Sequence, residues 1–155
     1  MITLDAAAAI DIAVDNLADG IDELLGNEVV VPPTFYVETA SYALRTAPRM
    51  PDLVLEMRDL MWSLVTDVEA LDPHLAQEAW TFCGSLSFPD ATYVAVAARH
   101  GAALWTTDAR LDRHPGCLPC DVRLLRRRRP RRATAAPPEA GSYSAASASA
   151  SLRVG

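Results

Sequence analysis

The sequence predicts an α/β protein built on a parallel sheet with helices over both faces. Three observations carry this expectation. Short apolar runs alternate with longer stretches of helical periodicity throughout residues 1–125. Half of the 155 residues are hydrophobic, enough for one domain with a real core. No internal repeat divides the chain, so the alternation belongs to a single sheet rather than to a stacked array.

The elements follow in order. ITLD at residues 2–5 is a short strand ending in a carboxylate. The next stretch, AAAAIDIAVDNLADGIDELLG, carries alanines and spaced Ile10, Val14, Leu17, Ile21 and Leu25, which predict one helix stopped near Gly26. VVV at 29–31 is the second strand, two prolines punctuate it, and Thr34 is placed to cap a helix through FYVETASYALR. Residues 52–61 read as helix and TDVEAL at 66–71 as a strand, with MWSLV before it suited to extending either element. PHLAQEAWTFCG predicts a helix with proline in its first turn and glycine at its end. In LSFPDATYVAVAARHGAALWTTD, Ser87 is the expected N-cap of a helix to about His100, with Gly101 as its C-cap. The strand AALWT follows, then a short helix near Asp108, and DVRLL closes the body as a last strand.

Charge is distributed unevenly. Residues 1–125 carry 7 arginines against 19 acids and residues 126–155 carry 7 arginines against one acid, so the net −6 divides into −12 and +6. The expected organisation is an acidic folded body, 1–125, and a basic then Pro/Ala/Ser-rich disordered tail, 126–155. There is no lysine, which excludes a Walker phosphate loop, a Schiff base and a kinase lysine. Three cysteines argue against a disulfide framework. No run of 18 apolar residues occurs and the N-terminus lacks a basic leader, so the expectation is a cytoplasmic protein with no membrane partner.

In an open parallel sheet, ligands gather at the carboxyl ends of the strands. Asp5 ends the first strand, Asp108 follows AALWT, Asp90 lies in the first turn of its helix and Glu38 in the second turn of the helix after VVVPP. Each has a structural alternative. Ser87 with Asp90 outlines a capping box, Asp108 suits a helix start, and Glu38 suits a solvated position or a pair with Arg45. Together they point further, because two carboxylates about 5 Å apart repel by roughly 3 kcal/mol at an effective dielectric of 20. A cluster stays ionised with a countercharge, and oxygen-only ligands select a hard ion, Mg2+ or Mn2+. Such a site suits phosphodiester hydrolysis.

Asp5 after ITL, Glu38 within VPPTFYVETASYALR, Asp90 within LSFPDATYVAVAARHGAAL, and Thr106 with Asp108 within LWTTDARL resemble PIN-domain proteins, most closely VapC-like toxin ribonucleases of type II toxin–antitoxin pairs. The resemblance covers residues 1 to about 125. It implies a three-layer α/β/α sandwich around a central parallel sheet of four or five strands. It also implies a Mg2+- or Mn2+-dependent endoribonuclease acting on RNA, usually a homodimer, held inactive by a cognate antitoxin that inserts into the acidic pocket. Carried over, Asp5, Asp90 and Asp108 bind metal, Glu38 positions a second metal or the attacking water, and Thr106 hydrogen-bonds a carboxylate or water nearby. Ala7 departs from the pattern: the family has Ser or Asn there, so a polar group near the metal is missing.

Other features are weighed beside this reading. His114, Cys117 and Cys120 have H-x2-C-x2-C spacing, three zinc ligands without an evident fourth; the alternative is ordinary loop thiols. Trp62, Trp80 and Trp105 read as core or core-edge residues rather than base-stacking platforms. Arg45, Arg99 and Arg110 are candidates for phosphate contact, against ordinary surface charge. RRRRPRR is either a solvated tail pairing with the acidic body or a sequence-blind RNA-binding segment. The rival from another class is a non-catalytic PIN-like module that binds RNA or a protein. An aspartyl-phosphate phosphatase is disfavoured, because Ala7 stands where a second aspartate is needed and no lysine is available.

Overall fold

The computed structural model describes residues 1–15, 17, 20–114 and 118–128. Five short parallel strands form one sheet: β1 (Ile2–Leu4), β2 (Val29–Val31), β3 (Asp67–Val68), β4 (Ala103–Thr106) and β5 (Val122–Leu124). Their order is β3-β2-β1-β4-β5. Ile2 pairs with both Val29 and Ala103, so β1 is the central strand. The direction of winding reverses there: β1, β2 and β3 step one way, and the chain then returns to place β4 on the other side of β1. Right-handed crossovers put the two sets of connecting helices on opposite faces. Helices α1 (Ala6–Ala13), α3 (Thr34–Thr46) and α4 (Val54–Ser63) pack together on one face, and α5 (Pro73–Trp80) and α6 (Phe88–His100) on the other. The expected three-layer α/β/α sandwich is therefore present, with five strands.

The core follows from strand alternation. Val30 faces Leu75, Ala79, Ala91 and Ala95 of α5 and α6, while Val29 and Val31 join Leu4, Phe35, Met61 and Leu104 in the larger cluster. Each such side chain contributes about 1.5–3 kcal/mol on burial. Thr3 Oγ1, on β1, is the one buried side-chain polar atom without a hydrogen-bond partner among the described residues. Among the described residues no helix is long and apolar enough to cross a membrane.

The helix expected over residues 6–26 is two. α1 stops at Ala13 and α2 spans Ile21–Leu25. Asp15 adopts φ 52, a left-handed conformation that aspartate tolerates better than most residues. Gly20 takes φ 87, and a Cβ there would meet Leu125 Cδ2 at 3.0 Å, so glycine is required. Leaving the helix buries Leu17 almost completely and lets it bridge to Arg127. Tertiary burial overrides the helical periodicity.

Three smaller corrections arise. Thr34 is the first residue of α3 rather than its cap, and its hydroxyl pairs with that of Thr92 at 3.1 Å. The strand expected over 66–71 contracts to Asp67–Val68, both exposed at the sheet edge, and MWS belongs to α4. The helix beginning at Pro73 ends at Trp80, short of Gly84. α6 matches its signals closely: Ser87 caps it, and Gly101 at φ 56 closes it with Ala102 N–H donating to Ala97 O at 2.8 Å.

Candidate active site

β1 and β4 are neighbours on either side of the winding reversal, so their carboxyl ends open a crevice. Asp5 leaves β1 into this crevice and N-caps α1, its Oδ1 accepting the Ala8 N–H at 2.7 Å. Its Oδ2 accepts the hydroxyl proton of Thr106, the last residue of β4. The same hydroxyl oxygen accepts the Asp108 N–H at 2.8 Å. One buried threonine thus ties the carboxylate of β1 to the turn after β4. Asp108 in turn caps the short helix α7 (Ala109–Asp112), and the Arg110 guanidinium lies on its carboxylate through Nε at 2.8 Å and Nη2 at 2.5 Å.

The other two acids come from helices on opposite faces. Glu38, in the second turn of α3, accepts the Tyr93 hydroxyl proton on Oε2 at 2.6 Å. Tyr93 belongs to α6, one turn after Asp90. Asp90 accepts the Ser87 hydroxyl at 2.7 Å, while its own N–H donates back to Ser87 Oγ at 3.3 Å. The capping reading of Ser87 and Asp90 therefore holds, and it is compatible with a place at the site. Asp90 and Asp108 line one cleft of about 270 Å³ with Ser85, Ser87 and Arg110.

The acids feel one another's charge, although burial is the larger influence on Asp5 and Glu38. Asp5 is only 5% exposed. Burial lifts its pKa from 3.8 to about 7, against the hydrogen bonds from Thr106 and Ala8 and with added repulsion from Glu38 and Asp108. Burial also raises Glu38, opposed by the Tyr93 hydrogen bond and reinforced by Asp90. Asp108 is lowered, first by the Arg110 side chain and, more weakly, by its backbone N–H and by the charge of Arg127. The interactions run Asp108 to Asp5, Asp5 to Glu38 and Glu38 to Asp90. Burial and the Glu38 charge drive the Tyr93 phenol far upward, so it is a fixed donor.

Among the described residues, no three His, Cys, Asp or Glu side chains stand close enough together to hold a metal ion as arranged. Asp5, Glu38, Asp90 and Asp108 each accept a hydrogen bond from a protein donor instead. The donor chemistry nevertheless fits a hard divalent cation. All four acids offer oxygen, and Asp5 and Glu38 carry unrelieved repulsion that a cation would remove.

The candidate phosphate contacts separate. Arg110 is at the site. Arg99 is not, because its guanidinium is held by Glu69 at 2.8 Å and Glu78 at 3.0 Å. Arg45 is exposed in the last turn of α3, seven residues and so about 10 Å along the helix from Glu38. Cys117 lies outside the described residues, as does the tail from residue 129, so the zinc and tail expectations do not extend into the described structure. His114 bonds Ser85 Oγ through Nε2 at 2.7 Å, and burial foremost pushes the Cys120 thiol up to about 11. Trp105 is buried as expected, with Arg123 over its ring at 4.1 Å, whereas Trp80 is 66% exposed and not part of the core.

Sequence reasoning missed Tyr93 and the group Asp11, Thr107 and Arg127. Tyr93 had a signal, a hydroxyl one helical turn beyond Asp90 in an otherwise small and apolar run. The other three are far apart in the chain and meet only through the fold.

Comparison with known proteins supports the same frame. The family model described as "PIN domain" matches residues 2–116. Ribonuclease VapC1 of Mycobacterium tuberculosis, from two strains, is 30% identical over 129 residues, covering 79% of this chain and 96% of the relative. The crystal structure of Mycobacterium tuberculosis VapC20, described as a sarcin-ricin loop cleaving toxin, superposes with a TM-score of 0.51 at 20% identity. That match covers 76% of this chain and 97% of the other, and it bears on the fold.

Proposed function

Because the chain belongs to the PIN domain family, we propose that it is a metal-dependent endoribonuclease, the toxin of a toxin–antitoxin pair, which hydrolyses RNA phosphodiester bonds. The observation that carries this reading is that Asp5, Glu38, Asp90 and Asp108, on four separate elements, lie within electrostatic reach of one another along the chain Asp108–Asp5–Glu38–Asp90, with Asp90 and Asp108 lining one cleft. The similarity to a named ribonuclease over most of the chain supports it.

Asp5, Asp90 and Asp108 would hold the cation, and the all-oxygen donor set favours Mg2+ or Mn2+. Bound there, the cation would polarise the phosphoryl group and lower the pKa of water. The protein's own groups do the rest. Thr106 fixes Asp5 by donating to one of its oxygens. Tyr93 holds Glu38 Oε2, which leaves Oε1 to orient the attacking water or a second cation. Arg110 pairs with Asp108 and is 80% exposed, so with a cation on Asp108 its guanidinium would be free to contact a phosphate oxygen of the RNA. Ala7 supplies no polar group to this arrangement, so the four acids carry the binding.

A cognate antitoxin is the proposed protein partner. The end of α1, α4 and the residues just before it frame a largely apolar groove of about 450 Å³, lined by Val14, Met50, Leu53, Met57 and Leu60 with Asp15 and Glu56. An amphipathic antitoxin segment would bury these side chains. Val37 and Leu44 on the outer face of α3 are also exposed and suit a homodimer. A cytoplasmic location fits the proposed RNA substrate.

The test is RNA cleavage with Mg2+ or Mn2+ beside Asp90→Asn. Cleavage by the wild type and a loss of about 100-fold in the variant are expected. Equal, metal-independent behaviour of the two proteins would assign the chain to the non-catalytic binding modules.

A further inference from the structure

Outside the four acids, Asp11 on α1, Thr107 just after β4 and Arg127 beyond β5 form a second polar cluster. Asp11 is buried, and its Oδ2 accepts the Thr107 hydroxyl at 2.6 Å and Arg127 Nε at 2.6 Å. Arg127 Nη2 also donates to Thr107 Oγ1 at 3.2 Å. The threonine hydroxyl therefore gives its proton to the acid and receives one from the guanidinium. Two backbone contacts fasten the same segment: Leu125 N–H donates to Thr106 O at 2.7 Å, and Leu17 bridges to Arg127.

Thr107 stands between Thr106, which holds Asp5, and Asp108, whose carboxylate lines the catalytic cleft. Its buried hydroxyl and its neighbours' roles leave the 106–108 turn little freedom once the cluster is closed. Burying a carboxyl side chain is favourable only when it is hydrogen-bonded, and Arg127 and Thr107 both donate to Asp11, which favours the closed arrangement. A planar guanidinium reaches acid and hydroxyl together, which a point charge does not.

We propose that Arg127 is a positioning residue of the nuclease site, clasping Asp11 and Thr107 so that the Thr106–Asp108 turn presents Asp108 to the cleft and Thr106 to Asp5. The proposal rests on the function proposed above. It also gives the start of the arginine run a structural task outside residues 2–116, the span of the PIN domain match.

The experiment uses the full chain, as wild type, Arg127→Gln, Arg127→Lys, Asp11→Asn and the Arg127→Gln/Asp11→Asn double variant. Amide hydrogen exchange is measured in EDTA, and RNA cleavage kinetics in Mn2+. The expected result for Arg127→Gln is exchange about 10-fold faster in the peptide covering 104–111, with the α6 peptide unchanged. Its kcat falls about 10-fold at unchanged KM, Arg127→Lys falls between it and wild type, and the double variant is no worse than the poorer single. Unchanged exchange in 104–111 overturns the proposal, as does faster exchange spread equally into α6. A raised KM with intact kcat also overturns it, and makes Arg127 an RNA contact instead. A wild type that cleaves no RNA refutes the proposed function, and hydrogen exchange alone then decides whether the clasp holds the turn.

Discussion

Asp5→Asn is expected to make the protein more stable and inactive at once. Asp5 is almost fully buried, and burial with the neighbouring acids lifts its pKa from 3.8 to about 7. A folded-state pKa above the unfolded one favours the folded state fully below pH 3.8, and this stabilisation is lost as pH rises to about 7. Each tenfold change in proton affinity is about 1.4 kcal/mol, so the whole loss is about 4 kcal/mol, of which about 3 kcal/mol falls between pH 5 and 8. Asparagine resembles the protonated acid: its carbonyl accepts from Ala8 N–H and its amide donates to Thr106 Oγ1. Urea unfolding in EDTA should therefore show wild-type stability falling between pH 5 and 8 while the variant stays much flatter. At pH 8 the variant should be the more stable by about 2–4 kcal/mol. Adding Mn2+ should return about 2.7 kcal/mol to the wild type at a hundredfold excess over its Kd and much less to the variant. A wild type with flat stability over this range, or a variant less stable at pH 8, refutes the claim that burial and acid repulsion store free energy at Asp5.

Three further outcomes follow from the same geometry. Tyr93→Phe removes the donor to Glu38 while keeping the buried ring, and a hydrogen bond to a charged group is worth about 1.5–3 kcal/mol. RNA cleavage should drop about 10–100-fold with an unchanged far-ultraviolet spectrum, and undiminished turnover would show that Glu38 needs no anchor. Arg110→Ala removes the group that competes for Asp108, so calorimetry should find tighter Mn2+ binding; weaker binding would mean that Arg110 organises the acid rather than occupying it. Thr3→Val replaces the unpartnered buried hydroxyl with a methyl and should raise stability by about 1 kcal/mol in chemical denaturation. A loss of stability would reveal a partner for that hydroxyl.

The sequence by itself determined what is local. Ser87 and Gly101 fix both ends of α6 because capping is a matter of one residue's conformation and one or two hydrogen bonds. The acids were legible too: Asp5 and Asp108 are cap residues at strand ends, a position that local patterning reveals, and the motifs around Glu38 and Asp90 carried the family resemblance. Tertiary structure alone decided which groups meet those acids. Thr106 reaches Asp5 across 101 residues, Tyr93 reaches Glu38 across 55 and Arg127 reaches Asp11 across 116, and no local periodicity encodes such pairs. It also divided the helix expected over 6–26, because burying Leu17 against the C-terminal segment outweighed continuing the helical turns. Local backbone preferences are worth tenths of a kcal/mol per residue, whereas burial of a leucine is worth about 1.5–3 kcal/mol, so long-range packing prevails wherever the two compete.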